Sequence, residues 1–501
     1  MTSRTQKAKW NITSSMILQI VSIGCGLIVP QLMIRAFGSE LYGATTSITH
    51  FLAYIALLES GVAGVARAAL YKPLAEGDVL ATSEIYYEVT RFFRNIAAIF
   101  VVYTLVIACC YRFIAAGSDL EWLFSFVLVI VISISTIGQY LFGISNSILI
   151  QSDQRHYVFN ILLILTVSLN TVFVVALTYL GCNIIIVKLA GSFVYLMKPL
   201  LLAVYVKRHY KILPSGECAK SNRLTQKWTA LGQHLAYFLH TNTDVVVLTV
   251  LADLKTVAVY AVYNMIVTNI RNLTASFYNG LEAIFGNMYA KGELEYLNKV
   301  FGRYETLISI VAITLYSTTA ALIVPFVKLY TEGVTDANYI IPGFAILAVL
   351  AEMVYTLRTP YHYLVNAANR FKQTRMAAYG EAVINIVLSV ALVFRFGIAG
   401  VAAATLIATA FRSLFYAVYV SRHIIHRDSF LYVKRNILNG LTFAAIVITG
   451  NHLVKLIGAE SYYKWFLCGT GVFLTASVIT AAVNVIFYGE DVLDILRRAK
   501  K

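Results

Sequence analysis

Apolar runs of about 20 residues or more recur fourteen times along the 501-residue chain, separated by short polar segments. A helix rises about 1.5 Å per residue and the hydrocarbon core of a bilayer is about 30 Å thick, so each run can cross as a helix. The first half carries runs at about 11–35, 42–66, 92–113, 120–144, 158–180 and 183–206. The second half carries them at about 230–251, 256–286, 304–329, 336–365, 377–396 and 398–420, with a final pair at about 437–457 and 462–488. A strand barrel would alternate polar and apolar positions, whereas Trp122 to Ser133 (WLFSFVLVIVIS) is apolar on every face. The pattern predicts an all-α integral membrane protein of about 14 transmembrane helices.

Composition sharpens this. With 59% hydrophobic and 13% charged residues, too little polar surface remains for a water-soluble domain of this length. The longest polar stretch, Lys207 to Trp228, holds the turn formers Pro214, Ser215 and Gly216 and reads as a linker. The organisation expected is an N-lobe over 1–206, a cytoplasmic linker over 207–229, a C-lobe over 230–421, and two further spans with a tail over 422–501. The net charge of +15 does not point to nucleic acid, because its placement follows membrane topology. Of the 40 Lys and Arg, 28 fall on the side of the two termini, seven on the opposite side and five inside spans. The positive-inside rule therefore puts both termini in the cytoplasm; the family resemblance given below implies a bacterial inner membrane. The first apolar run is too long for a cleaved signal and is expected to remain as the first span. Six Cys lie mostly within spans without metal-ligand spacing and read as packing residues; no cofactor and no metal site is indicated.

The chain also repeats itself at an offset of about 216 residues. Tyr179-Leu-Gly181 falls opposite Arg395-Phe-Gly397, and Asp153 to His156 opposite Asn369 to Lys372. Six spans per copy make the two lobes parallel and pseudo-symmetric, with spans thirteen and fourteen appended. Duplicated bundles of this kind are a transporter architecture.

Three stretches carry a family resemblance: Phe37 to Arg67 (FGSELYGATTSITHFLAYIALLESGVAGVAR), Asn242-Thr-Asp244 with the apolar run that follows it, and Asn366 to Thr405. Together they resemble the polysaccharide transporters of the multidrug/oligosaccharidyl-lipid/polysaccharide (MOP) exporter superfamily, in particular the O-antigen (Wzx-type) flippases. The resemblance covers essentially the whole chain. It implies a flippase for a polyprenyl-pyrophosphate-linked oligosaccharide in lipopolysaccharide biosynthesis, in contact with membrane lipid and, as partners, a polysaccharide polymerase and chain-length regulator. Drug/cation antiporters and lipid II flippases share the fold.

Charges deep in a span cost about 2.5–3.5 kcal/mol each on insertion scales, so those retained mark a cavity or a partner. Span eight shows a polar stripe of Asn264, Thr268, Arg271, Ala275, Tyr278 and Glu282. Arg271 lies near its middle, where a guanidinium can grip pyrophosphate through paired donors; an ion pair with Glu282 or Asp244 is the structural alternative. Arg358, Arg412, Arg35 and Tyr278 are further substrate-binding candidates. Asp244, with His234, Tyr237 and Thr241 on its face, is a candidate proton or sodium coupling site, where the alternative is a hydrogen-bond acceptor for a neighbouring helix. Glu59, Glu282, Glu352, Glu381 and His240 complete the candidates for coupling or charge balance. Lys188 and Lys198 lie near span ends and can snorkel, and Pro360 is expected to kink span ten.

The rival from another class is a membrane polymerase or glycosyltransferase. Such enzymes need a large external loop with catalytic residues, and every external loop predicted here is about a dozen residues or fewer. No P-loop appears either, which argues against direct ATP drive. A secondary transporter, not an enzyme, is expected.

Overall fold

The computed structural model describes residues 4–59, 61–115, 117–214, 231–278 and 280–499, the side chains of Arg4, 231–237, 239–241, Leu496, Arg498 and Ala499 excepted. Most of the predicted linker, with Cys218, lies outside the described residues, as do the side chains of His234, Tyr237, His240 and Thr241. Every regular element among the described residues is helical. The order is α1 (Arg4–Ala53), α2 (Ala56–Glu59), α3 (Val62–Glu76), α4 (Val79–Ile114), α5 (Trp122–Gly138), a π-helical turn (Gln139–Gly143), α6 (Ile144–Ser152), α7 (His156–Tyr179) and α8 (Ile184–His209). There follow α9 (Leu231–Leu251), α10 (Leu254–Tyr278), α11 (Leu281–Ala290), α12 (Leu294–Tyr330), α13 (Pro342–Ala367), α14 (Phe371–His423), α15 (Phe430–Ile457) and α16 (Tyr462–Ala499).

Among the described residues ten helical stretches are long and apolar enough to cross a bilayer, so the chain is a multi-pass membrane protein. Two of them each hold two spans. Gly38 breaks α1 with φ 82° and ψ 167°, and Gly397 breaks α14 with φ 55° and ψ −136°. With α9 (21 residues) and α10 (25 residues) the count reaches the fourteen expected. The breaks are sharper than the loops expected from sequence, because one glycine in a conformation that L residues avoid reverses the chain.

Helix lengths depart from the hydropathy reading. The run expected to end at 66 continues as α3 to Glu76, and those expected to begin at 92 and 304 begin at Val79 and Leu294. Arg67, Lys72, Arg91, Arg94, Lys299 and Arg303 therefore sit on helices, not in loops. Hydropathy marks where a helix leaves hydrocarbon, whereas its end is set by caps: Asp78 accepts from the Ala81 amide at 2.9 Å and starts α4.

The chain gathers into two compact units, Met1–Phe238 with Asp253–Ala258, and Leu239–Ala252 with Val259–Lys501. Backbone conformation exposes the duplication more clearly than residue identity. Left-handed residues recur in pairs 215 or 216 positions apart: Gly77 (φ 70°) with Gly292 (72°), Gln154 (59°) with Asn369 (52°), and Gly181 (72°) with Gly397 (55°). Gly61 (φ 89°) and Gly280 (96°), 219 positions apart, each interrupt a helix in their own half. The 36 residues of α4 answer to the 37 of α12.

Within unit 1, α4 buries Ile85, Val89, Phe93, Ile96 and Phe100 at helical spacing against Leu128, Tyr140 and Leu149, while its Ile99, Val102, Leu105 and Val106 stay exposed and apolar. Two apolar faces on one helix fit a protein solvated by lipid. Lipid tails are as apolar as leucine, so helices here are joined by close packing and by polar contacts. Tyr103 donates to the Phe51 carbonyl at 2.8 Å, and at Gly43 an added Cβ would lie 1.8 Å from the Leu254 carbonyl oxygen. In unit 2, α15 and α16 pack along α12.

Gly43→Ala is expected to force the α1 and α10 backbones apart at a cost of about 1–3 kcal/mol. Thermal unfolding of the detergent-purified protein, followed by intrinsic fluorescence, should show a lower midpoint, and an unchanged midpoint would mean the contact relaxes freely.

Candidate functional site

In unit 2 the deep charges come together in pairs. Glu381 of α14 is 1% exposed and takes a guanidinium on each oxygen: Arg358 Nη1 at 2.8 Å and Arg412 Nη1 at 2.6 Å, at 5% and 6% exposure. Arg412 also donates to the Tyr416 hydroxyl at 2.9 Å, and Arg358 lies 4.8 Å from the centre of the Tyr355 ring. His362 stacks on Tyr416 with the rings 2° from parallel. Two cations around one carboxylate leave a net positive centre, held by hydrogen bonds at low dielectric.

Arg271 of α10 pairs with Glu352 of α13 at 2.9 Å, the Tyr355 ring lying 5.9 Å away. The partner is neither Glu282 nor Asp244, the two expected from sequence. The polar stripe is also cut short: Gly280, at φ 96°, separates α10 from α11, so Glu282 does not continue the face of Arg271. Glu282 is exposed and accepts from Asn366 at 3.3 Å, and Tyr278 is buried among Leu281, Phe285 and Tyr363. An eleven-residue helical return requires an unbroken helix, and the left-handed glycine removes it.

Asp244 of α9 is buried and accepts from Thr405 at 3.0 Å and Tyr260 at 3.2 Å, and Asn385 donates to Thr405 at 2.9 Å. One side of this group opens on a cavity of about 40 Å³ lined by Asp244, Tyr260, Asn264, Glu352 and Thr405. Asn385 Oδ1 and Glu352 Oε2 are buried and accept no hydrogen bond. The neighbourhood is thus rich in acceptors, with room for a water molecule or a small cation.

Unit 1 is built differently. Glu59 ends α2, with Tyr140 beside it, and both line a cavity of about 470 Å³. Arg67 of α3, which the sequence reading left in a loop, lines the same space and donates to Gln151 Oε1 at 3.1 Å. Gly61 breaks the helix that would otherwise run from Glu59 to Arg67, while Gly64 lies within α3. Lys198 of α8 rests 4.8 Å from the centre of the Phe159 ring, and Phe159 is another wall of the cavity. Arg35 lies exposed on α1. α13 runs helically through Pro360.

One cluster was not anticipated. Glu305 of α12 accepts from Arg427 at 2.9 Å, pairs with Arg435 at 3.2 Å and bonds the Tyr361 hydroxyl. Arg435 reaches Asp491 at 3.6 Å, Thr306 donates to the same carboxylate at 2.9 Å, and Arg303 pairs with Asp494. Together these join α12, α13, α15 and α16. Glu305, at the very start of an apolar run, was the available signal.

No protein-family model and no curated relative matches the chain. Solved structures do match. One described as lipid II flippase MurJ, in an inward closed conformation, aligns with a TM-score of 0.71 at 14% identity over 96% of this chain and 99% of its own. The chain shares the fold of that structure. An inward-facing multidrug resistance MATE family transporter of the MOP superfamily aligns at 0.60 and 13% identity over 83% and 98%. A MOP superfamily transporter from Pyrococcus furiosus aligns at 0.56 and 13% identity over 83% and 95%.

Removing Glu381 leaves two buried guanidiniums without a counter-charge. Glu381→Gln is expected to destabilise unit 2 by about 3–5 kcal/mol, while the triple change Arg358→Met, Glu381→Leu, Arg412→Met recovers most of the loss. Thermal unfolding of the purified variants measures both, and a neutral Glu381→Gln would show the triad to be solvated.

Proposed function

We propose that the chain is a flippase that carries a polyprenyl-pyrophosphate-linked oligosaccharide, such as an O-antigen repeat unit, from the cytoplasmic to the periplasmic leaflet of a bacterial inner membrane. The observation that carries this reading is the extent of the fold match: 96% of the chain aligns with the lipid II flippase, against 83% with the MATE transporter. Guanidiniums held within spans support it, because an anionic head group needs fixed cations when it leaves water. Both termini are cytoplasmic in this reading, and the two lobes, 1–206 and 230–421, alternate access to either side.

Arg271 is the head-group anchor. Glu352 holds its guanidinium between cycles, so an arriving phosphate exchanges one oxyanion for another at a planar donor fork. Asp244 is the coupling carboxylate for a proton or a small monovalent cation, its acceptors supplemented by Asn385 and Thr405. Arg358, Arg412 and Glu381 fix α13 against α14 beside it. A membrane polymerase and a chain-length regulator are the partners that would receive the product.

Deleting the gene should remove surface glycan and leave single lipid-linked repeat units on the cytoplasmic leaflet. Arg271→Ala at normal protein levels should fail to restore surface glycan, and Arg271→Lys should restore part of it. Glycan staining with extraction of lipid-linked intermediates reads each outcome. Normal surface glycan with an altered drug-resistance profile would sink this reading in favour of a multidrug antiporter.

A further inference from the structure

A cavity of about 260 Å³ in unit 1 is lined by Lys7, Trp10, Tyr157 and Ile161, and the transport reading uses none of them. It lies against the seam of α1 and α7, and that seam is bonded shut. Asn11 donates to the Gln154 carbonyl at 2.9 Å and accepts from the Tyr157 amide at 2.8 Å; one turn on, Asn160 donates to Ser14 at 3.0 Å and to Ser15 at 2.9 Å. The slot is therefore preformed.

At its polar end one carboxylate serves two cations. Lys7 Nζ donates to Asp153 Oδ1 at 3.0 Å and to the Asp153 carbonyl at 2.9 Å, and Arg155 Nε lies 2.7 Å from Oδ2, an oxygen that also accepts from Tyr210 at 2.8 Å. An ammonium has three protons to donate, so Lys7 keeps one, and the three charged side chains together carry one net positive charge. The Trp10 and Tyr157 rings stand 6.4 Å apart, amphipathic rings of the kind that sit at head-group level in a bilayer. Beyond them Ile17 on α1, with Ile161 and Leu165 on α7, are about half exposed and form an apolar strip leading away from the slot. Cation, aromatic collar and apolar strip follow one another in the order of the phosphate, glycerol and acyl chain of a phospholipid.

We propose that this slot binds an acidic phospholipid of the leaflet on the side of the chain termini, with Lys7 as the phosphate contact, Trp10 and Tyr157 flanking the glycerol, and an acyl chain on Ile17, Ile161 and Leu165. One net positive charge balances one phosphodiester and repels a head group that brings its own ammonium, so phosphatidylglycerol is favoured over zwitterionic lipids. A basic recess between spans is a recurring way of holding such head groups. At about 260 Å³ the slot falls below the roughly 300–1,000 Å³ of small-molecule sites, with room for a phosphate and its glycerol but not for an oligosaccharide. The bound lipid is thus a fixture that fastens α1 to α7, separate from any transported molecule, and its site stands whether or not the chain is a flippase.

The test makes Trp10 the only tryptophan of the full chain (Trp122→Phe, Trp228→Phe, Trp465→Phe) and places the protein in phosphatidylcholine nanodiscs. Increasing fractions of brominated-chain phosphatidylglycerol or, separately, brominated-chain phosphatidylcholine are then added, since bromine quenches only a nearby indole. Phosphatidylglycerol is expected to take the site about fivefold more readily than phosphatidylcholine. Lys7→Gln should bring the two lipids to parity, and so should Ile161→Phe, which fills the slot and leaves the bonds between Lys7 and Asp153 in place. Lys7→Arg and the exposed Lys9→Gln should keep the preference. If Lys7→Gln does not fold, Ile161→Phe carries the comparison, and phosphatidylglycerol retained through delipidation, counted by native mass spectrometry, repeats it in the protein with all its tryptophans. Equal quenching by the two lipids in the unaltered slot, or a preference that survives either Lys7→Gln or Ile161→Phe, overturns the proposal. Soluble glycerol 3-phosphate should not relieve the quenching; if it does, the slot belongs to a soluble phosphate ester and the lipid assignment is wrong.

Discussion

A charge inside hydrocarbon must be answered by another group, and unit 2 is organised around that requirement. Glu381 answers two guanidiniums at once, Glu352 answers a third, and Glu305 gathers two more. Each of these carboxylates joins helices for whose apolar faces lipid competes on equal terms. Removing one partner is far worse than removing all, because what remains is a desolvated ion. The polar groups in this half of the molecule thus add to the apolar packing around Phe285, Phe301 and Tyr361.

Unit 1 meets the same requirement less completely. Left-handed residues recur at equivalent places in both units, and unit 1 holds a cavity of about 470 Å³ lined by Glu59, Arg67, Tyr140 and Phe159 among others.

Much of the fold was legible in the sequence because the bilayer imposes a length and a polarity on every span, and both are local properties. The repeat was legible where a turn demands one residue type, as at Gly181 and Gly397. Pairings were not legible, since Arg271 meets Glu352 from 81 residues away and nothing local distinguishes it from the nearer Glu282. Arg67 was misplaced for a related reason: hydropathy sees a basic residue at the end of an apolar run and assigns water, although the helix continues and turns that residue into a cavity. Gly280 likewise looks like one more small residue until its backbone angle is known.

The cluster around Glu305 has a consequence for how the molecule is made. Arg427 follows Glu305 by 122 residues, and a ribosome adds roughly 5–20 residues per second. For something like six to twenty-five seconds α12 is in existence while its carboxylate lacks the guanidinium that will hold it, and Asp491 comes later still. The Glu305 cluster is therefore among the last contacts of this half to close, after α10, α13 and α14 already have their own ion pairs.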